Sequence, residues 1–297
     1  MALDSVQLTT FAAVVVEGSF EAAARSLHVT PSAVSQRIKA LENAVGQVLI
    51  RRTKPCRATE AGRSVLRLAG QVSLLEREAL DAARGQLARG QARTRVAVVV
   101  NADSLSTWFL PALANVPADL ALSFDLREED QDYTAELLHD GSVMAAVTAE
   151  NVAVQGCRVE RLGAMRYLAL ASPDLMDAHF PDGATTSALA VAPVVVFSRR
   201  DQLQHRFLRL LTRRLLDPPV HYVPSVWGFV EAIRLGLGWG MVPEQIARAD
   251  ISAGRCVQLA AGRHLDVPLY WQHWRLDSAA LDALTASVKA AAATALR

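Results

Sequence analysis

Residues 20–41 read FEAAARSLHVTPSAVSQRIKAL. Two short helical patterns flank a break at His28-Val29-Thr30. Ala23, Ala24 and Leu27 give the first pattern an apolar face. Val34, Ile38 and Leu41 recur at steps of four and three, which makes them the buried stripe of the second. The opposite stripe is Ser32, Ser35, Gln36 and Lys39, short hydrogen-bonding groups with one cation. An ordinary solvated face would carry Glu/Lys pairs instead. A helix that enters the major groove needs small donors and acceptors for base edges and cations nearby for phosphates. Thr30 is placed to cap the second helix, and Pro31 suits its first turn. The stretch predicts a helix-turn-helix that reads DNA. A plain helical hairpin with polar outer residues would satisfy the same periodicity.

The residues after Leu41 narrow that choice. Gly46 ends the second helix, and Gln47-Val48-Leu49-Ile50 turns into a short extended run. Arg51-Arg52-Thr53-Lys54-Pro55-Cys56-Arg57 then carries four cations in seven residues. A β-wing beside the recognition helix would bring such cations to the phosphate backbone. Thr59-Glu60-Ala61-Gly62 opens another helix, with Thr59 as N-cap. On the other side, Leu8, Phe11 and Val15 in MALDSVQLTTFAAVVVEG follow helical spacing. With an acid at position 4 and no basic start, that segment reads as a first core helix and not as a signal peptide.

Charge is distributed to match. Residues 1–58 carry a net +3, residues 59–92 a net +1, and residues 93–297 a net −3. A basic head on a mildly acidic body fits a DNA-binding head joined to something else. Cys56, Cys157 and Cys256 are odd in number, far apart and without a CxxC pair. That argues against a disulfide framework or a zinc site and for a reducing cytoplasm. No window approaches the length of unbroken apolar sequence that a membrane span needs.

The connector from Glu60 to Arg89 has no proline. Val65, Leu68, Val72, Leu75, Ala79 and Ala82 form a heptad seam, with Glu76, Arg77, Glu78, Asp81 and Arg84 off it. A long helix cannot bury a narrow apolar stripe alone. Pairing with a second copy solves this and brings two heads to two half-sites; packing on the chain's own body is the alternative. Gly85, Gly90 and the QAR segment then release the chain into the next domain.

Beyond residue 93 strands and helices alternate. Arg95–Val100, Leu120–Leu126 and Val143–Thr148 read as strands, with helices over Leu105–Val116 and Thr134–His139 between them. A second series comprises strands at Tyr167–Ala171, Val194–Phe197, His221–Val223 and Gly240–Val242, and helices over Leu203–Leu216 and Val226–Leu235. Leu269–Trp274 is a late strand before a terminal helix through Ala295. The pattern predicts an α/β fold with a parallel sheet and two similar lobes. Ligands in such folds sit beyond the carboxyl ends of strands. The expected organisation is a head over 1–59, a linker helix over 60–92 and a binding domain over 93–297. Its lobe I takes 93–163 and 268–297, and its lobe II takes 164–267.

Two loops stand out as a binding crevice. Asn101-Ala102-Asp103-Ser104-Leu105-Ser106-Thr107-Trp108 follows a strand and opens a helix. Its hydroxyls at Ser104, Ser106 and Thr107 lie beside free N–H groups at the positive helix end, a seat for a carboxylate. Simple capping by Asp103 or Ser104 is the alternative. Glu128-Glu129-Asp130-Gln131-Asp132 places four acids in five residues, suited to a basic ligand or to a solvated loop.

The head resembles the LysR-type transcriptional regulators. The matching residues are Phe20-x-x-Ala23-Ala24-x-x-Leu27, Thr30, Ser32-Ala33-Val34-Ser35, Ile38, Leu41-Glu42, Gly46, Leu49, Arg52 and Thr59-Glu60-Ala61-Gly62. The resemblance extends over essentially the whole chain. It implies a winged helix-turn-helix, a dimerising linker helix and a two-lobed effector domain like periplasmic binding proteins, assembled as a homodimer or homotetramer on promoter DNA, with RNA polymerase as a further partner. Within the family the chain is similar to the ArgP/LysG group, which controls basic amino-acid exporters. Ser32–Lys39, Val100–Trp108, Glu129-Asp130, Val194–Phe197, Gly240–Pro243 and Leu269-Tyr270-Trp271 carry that likeness. Pro31 stands where many relatives have glutamine, and Val226-Trp227 follows Ser225 in place of a more polar pair.

These patterns assign roles. Ser32, Ser35 and Gln36 would read base edges, with Thr30 and Pro31 beside them at the DNA-binding surface, and Arg37, Lys39, Arg52, Lys54 and Arg57 would hold phosphates. Ser104, Ser106 and Thr107 would receive the carboxylate of a lysine, arginine or histidine effector. Asp103, Glu129 and Asp130 would receive its ammonium groups, with Asn101, Phe197 and Ser225 completing the pocket. No cofactor and no metal is expected. An enzyme is disfavoured because the chain has no G-x-S-x-G elbow, H-E-x-x-H, GxGxxG or P-loop. A DNA-architectural protein without effector would not need so large an α/β portion.

Overall fold

Asp4 opens the first helix by accepting a hydrogen bond from the Gln7 amide at 2.9 Å, and Gly18 closes it at φ 70°. The computed structural model of the chain describes residues 3–84, 93–128 and 131–297. Three helices build the head: α1 (Ser5–Glu17), α2 (Phe20–Ser26) and α3 (Pro31–Val45). Ser19 caps α2 through the Ala22 amide at 3.1 Å, and Thr30 caps α3 through the Ala33 amide at 3.2 Å, with Pro31 in its first turn. Such a cap contributes about 1 kcal/mol. Gly46 adopts the left-handed conformation that ends α3, a backbone state other residues reach only with strain. Phe11, Val14, Ala23, Val34, Ile38 and Leu41 bury almost completely between the three helices.

Two short antiparallel strands form the wing, β1 (Ile50–Arg51) and β2 (Arg57–Ala58). Then α4 (Glu60–Arg84) leaves the head, capped by Thr59 through the Gly62 amide at 3.0 Å. This linker helix has two apolar faces. Leu66, Ala69 and Leu74 are buried against their own chain. Leu68, Leu75, Ala79 and Ala82 are exposed, with Val72 half-buried. The expected seam is therefore open at Leu68, Leu75, Ala79 and Ala82, whereas Val65 packs into the head core and Val72 packs against it. The buried face is fixed at three levels. Arg67 donates to the Gln155 carbonyl, Gly70 lies on the Trp274 ring, and the Glu78 carboxylate accepts from Ser278 Oγ and the Ala280 amide at 2.6 and 3.0 Å. The part of the linker around Gly85 and Gly90 lies outside the described residues.

β3 (Thr94–Val100), α5 (Ala102–Ser104), a π-helical turn Leu105–Phe109, α6 (Leu110–Ala114), β4 (Leu122–Glu128), α7 (Gln131–His139) and β5 (Ala145–Thr148) come first. β6 (Cys157–Ala171), α8 (Pro173–His179), α9 (Thr186–Val191), β7 (Val194–Val196), α10 (Leu203–Thr212) and β8 (Val220–Tyr222) are next. α11 (Val226–Arg234), β9 (Gly240–Pro243), α12 (Glu244–Ser252), β10 (Val257–Gln258), β11 (His264–Trp274) and α13 (Ala279–Ala295) complete the chain.

The chain divides into two compact units. The first comprises Met1–Asn101, Ala112–Arg161 and Tyr270–Val288, and the second Ala102–Pro111, Leu162–Leu269 and Lys289–Arg297. In the first unit β3 pairs in parallel with β4 (Val98 opposite Leu126) and with β5 (Val98 opposite Ala145). β3 is central, so its RVAVVV run is apolar and not alternating. β11 pairs antiparallel with β5, Trp271 opposite Val147. In the second unit β6 pairs antiparallel with β9, Tyr167 opposite Pro243, and with β10, Val257 opposite Ala171. β7 and β8 form a separate parallel pair. The expectation of a parallel sheet is thus corrected to a mixed one, because the strand–helix–strand rule governs only β3–β5 and β7–β8. Of the residues expected in lobe I, 102–111, 162–163, 268–269 and 289–297 lie in the second unit.

Asp250 ties the second unit together. Its buried carboxylate accepts two hydrogen bonds from Arg234, at 3.0 and 2.8 Å, and one from Arg255 at 2.7 Å. Burial pushes this carboxyl up, but the two guanidinium groups outweigh it and leave it below the usual carboxylate range. Among the described residues no helix is long and apolar enough to cross a membrane.

Candidate DNA interface and effector site

The recognition surface arises from the helical period of α3. With Val34, Ile38 and Leu41 turned inward, Ser32, Ser35, Gln36 and Lys39 emerge exposed on the other side, beside exposed Pro31. Thr30 is exposed too, with its hydroxyl engaged as the cap of α3. The five expected phosphate ligands separate into two kinds. Arg37 is half-buried and donates to Thr10 Oγ1 on α1 at 3.3 Å, so it anchors the recognition helix to the head. Arg52 lies over the Phe20 ring, 4.8 Å from its centroid, and braces the wing against the start of α2. Lys39, Lys54 and Arg57 stand exposed.

The wing is held by backbone geometry. The Cys56 amide donates to the Gly18 carbonyl at 2.7 Å, and a Cβ at Gly18 would come within 2.8 Å of Pro55 Cβ. Glu42 accepts from the Leu49 amide at 2.9 Å. Thr59 donates from its hydroxyl to the Val48 carbonyl at 2.8 Å, and from its amide to the Leu49 carbonyl at 2.9 Å. A Cβ at Gly62 would collide with that same Leu49 carbonyl oxygen. Glu42, Leu49, Thr59 and Gly62 therefore act as scaffold for the wing.

The effector residues are positioned less uniformly. Asn101 is half-buried at the end of β3. Asp103 lies in α5, and its carboxylate accepts from the Tyr167 hydroxyl at 2.7 Å. Thr107 donates its hydroxyl proton to the Asp103 carbonyl at 2.6 Å, so that proton is already committed. Ser104 is fully buried, while Ser106 is exposed. Phe197, half-buried, packs on the cluster that contains Leu168, Val195, Phe229 and Ile233. Ser225 is an exposed N-cap of α11, accepting from the Gly228 amide at 3.3 Å. Trp227 beside it is 69% exposed, consistent with no core role for the departure seen at Val226-Trp227. Glu129 and Asp130 lie outside the described residues.

Two residues in contact with the expected site residues escaped sequence reasoning. Tyr167, on β6, is 3% exposed and carries the hydroxyl that reaches Asp103. Burial first, then the Asp103 charge and hydrogen bond, and then Asp201 hold its pKa well above the ordinary tyrosine value. Asp201 follows β7, and its carboxylate accepts from the Phe197 and Leu203 amides at 3.3 and 2.9 Å. Signals for both existed. Asp201 sits just beyond the carboxyl end of a parallel strand, and Tyr167 carries a polar tip in the apolar run Tyr167–Ala171.

Comparison with known proteins matches this geometry. Residues 6–63 match the bacterial regulatory helix-turn-helix proteins of the lysR family, and residues 89–293 match the LysR substrate binding domain. The HTH-type transcriptional regulator LysG of Mycobacterium tuberculosis is 51% identical over 290 residues, 98% of this chain and 94% of that protein. The crystal structure of ArgP from Mycobacterium tuberculosis has a TM-score of 0.89 at 50% identity, covering 100% of this chain and 99% of that one. The lysine export transcriptional regulatory protein LysG of Corynebacterium glutamicum is 43% identical over 300 residues, 99% of this chain and 100% of that protein. Full-length LysG from Corynebacterium glutamicum with bound effector Arg has a TM-score of 0.79 at 43% identity, over 99% of each chain. A helix-turn-helix with its wing, a linker helix and an α/β binding domain, matched in sequence from end to end, lead to one conclusion: the chain belongs to the LysR family of bacterial transcriptional regulators.

Proposed function

We propose that this chain is a transcription factor that senses a basic amino acid and controls an amino-acid exporter gene. The observation that carries the effector reading is the Asp103 carboxylate, held by Tyr167 in the same unit as Asp201. Carboxylates fixed by neutral donors favour a cationic ligand. Arginine bound to the Corynebacterium glutamicum relative, and the lysine-export role in that relative's name, support the same choice.

In this reading Ser32, Ser35 and Gln36 contact base edges, and Lys39, Lys54 and Arg57 contact phosphates. Arg37 and Arg52 reach phosphate only with the part of the guanidinium that their structural contacts leave over. Asp103 meets an ammonium group of the effector, and Phe197 and Ser225 of the same unit contribute to its pocket, while Asn101, Glu129 and Asp130 keep the effector-binding roles expected of them. Ser104 and Ser106 receive the carboxylate, whereas the Thr107 hydroxyl, its proton committed to the Asp103 carbonyl, can only accept from an ammonium group of the effector. The exposed stripe Leu68, Leu75, Ala79 and Ala82 is the seam on which two copies pair, and the pair places two heads on two half-sites. The protein works in the cytoplasm and catalyses no reaction. Effector changes transcription by binding one arrangement of the chain better than another, since equal affinity for both would shift nothing.

Calorimetric titration of the full chain with the twenty amino acids tests this. Saturable binding of lysine, arginine or histidine, weakened in Asp130→Asn, is the expected result. Binding confined to neutral or acidic amino acids would overturn the effector assignment and leave the family unchanged.

A further inference from the structure

We infer that Tyr167 is a positioning residue for effector recognition, acting through Asp103. The inference rests on the reading of Asp103 as an effector contact. Asp103 is held at both ends. Its carboxylate accepts from the Tyr167 hydroxyl at 2.7 Å, and its backbone carbonyl accepts from Thr107 Oγ1 at 2.6 Å. The two tethers come from different elements of the same unit: Tyr167 from β6, and Thr107 from the π-helical turn after α5.

The tyrosine is a rigid post. It is 3% exposed, and its backbone lies in the paired part of β6, opposite Pro243 of β9. Its neighbours keep it a donor, because burial and the nearby Asp103 and Asp201 carboxylates all oppose loss of its proton. An aspartate on a short helical segment would otherwise sample several rotamers and lose them when a cation binds. With one oxygen held by a fixed hydroxyl, that ordering is complete before the ligand arrives, which lowers the entropic penalty of binding. A donor that bonds to the anion without neutralising it also leaves the negative charge in place for the ligand.

A double-mutant cycle separates this role from packing. L-arginine binding to the full chain is measured for the parent, Tyr167→Phe, Asp103→Asn and the double variant, by calorimetry and by ligand-induced thermal shift at millimolar arginine. Tyr167→Phe is expected to weaken arginine binding about tenfold, the size of one hydrogen bond to a charged group. In the Asp103→Asn background the same change is expected to cost less than about twofold, since the group it acts through is no longer an anion. Equal cost in both backgrounds would mean that the hydroxyl acts independently of Asp103, and it would overturn the inference. So would parent-like affinity in Tyr167→Phe, or in Asp103→Asn. Where Asp103→Asn leaves nothing measurable, the ligand-free unfolding temperature decides. Weakened binding by Tyr167→Phe with an unchanged unfolding temperature supports the inference, and a drop in both assigns Tyr167 to packing. A parent chain that binds no basic amino acid removes the effector reading itself, an outcome distinct from the others.

Discussion

Lys54→Ala/Arg57→Ala should flatten the salt dependence of DNA binding without changing which sequence is preferred. The expected phosphate ligands look alike in sequence, but their contacts differ. Arg52 is stacked on Phe20 and Arg37 is bonded to Thr10, whereas Lys54 and Arg57 are exposed and face no such demand. Each phosphate neutralised by a cation contributes about 0.9 to the slope of log affinity against log salt, so losing two should lower the slope by about 1.8. Between about 50 and 200 mM salt the parent should then lose about twelvefold more affinity than the variant. Fluorescence anisotropy on a promoter duplex and a random duplex over that range reads both slopes. Phosphate contacts act on any duplex, so the two slopes should fall together. An unchanged slope would show that the wing does not reach the backbone. A loss on the promoter duplex alone would make these residues base contacts and refute the assignment.

The same geometry has other consequences. Gln36→Ala should cost about 1–3 kcal/mol on the promoter duplex and little on random DNA, because it removes base-edge contacts only; equal loss on both would move Gln36 to the backbone. Gly62→Ala drives a Cβ into the Leu49 carbonyl, which should destabilise the head by about 1–3 kcal/mol and abolish DNA binding while arginine binding survives. Retained DNA binding would show that the wing junction yields. Asp250→Asn should cost about 2 kcal/mol at neutral pH, less than a fully enclosed pair, since Arg234 and Arg255 can rehydrate. The folded-state pKa of Asp250 is depressed, so its contribution is present above the unfolded carboxyl range and disappears as pH falls through the folded value. Thermal unfolding of parent and variant should therefore converge in acid, and a gap independent of pH would refute the ion-pair account.

Much of the head was legible because its determinants are local. The Thr30 cap, Pro31, the stop at Gly46 and the Val34–Ile38–Leu41 stripe each depend on residues within about one helical turn. β3 to β5 were legible for a related reason, since short crossovers and an apolar central strand permit little besides parallel pairing. β6 was read only over its apolar end. Its first half, CRVERLGAMR, interleaves charges that resemble a loop until the partner strand is known.

The amino-acid order alone determined the helix-turn-helix, its capped recognition helix, the basic wing, the long linker helix and the alternation of the binding domain. Helical and strand periods are written along the chain, and burying their apolar stripes admits few solutions. The tertiary structure alone decided that Arg37 and Arg52 are anchored by contacts within the head. It also decided that the linker has a second face, fixed by Glu78 two hundred residues before its partner Ser278, and that a tyrosine sixty-four residues away holds Asp103. Those contacts join residues of ordinary type across long separations. Only the packing of whole elements sets such distances, and no local pattern encodes them.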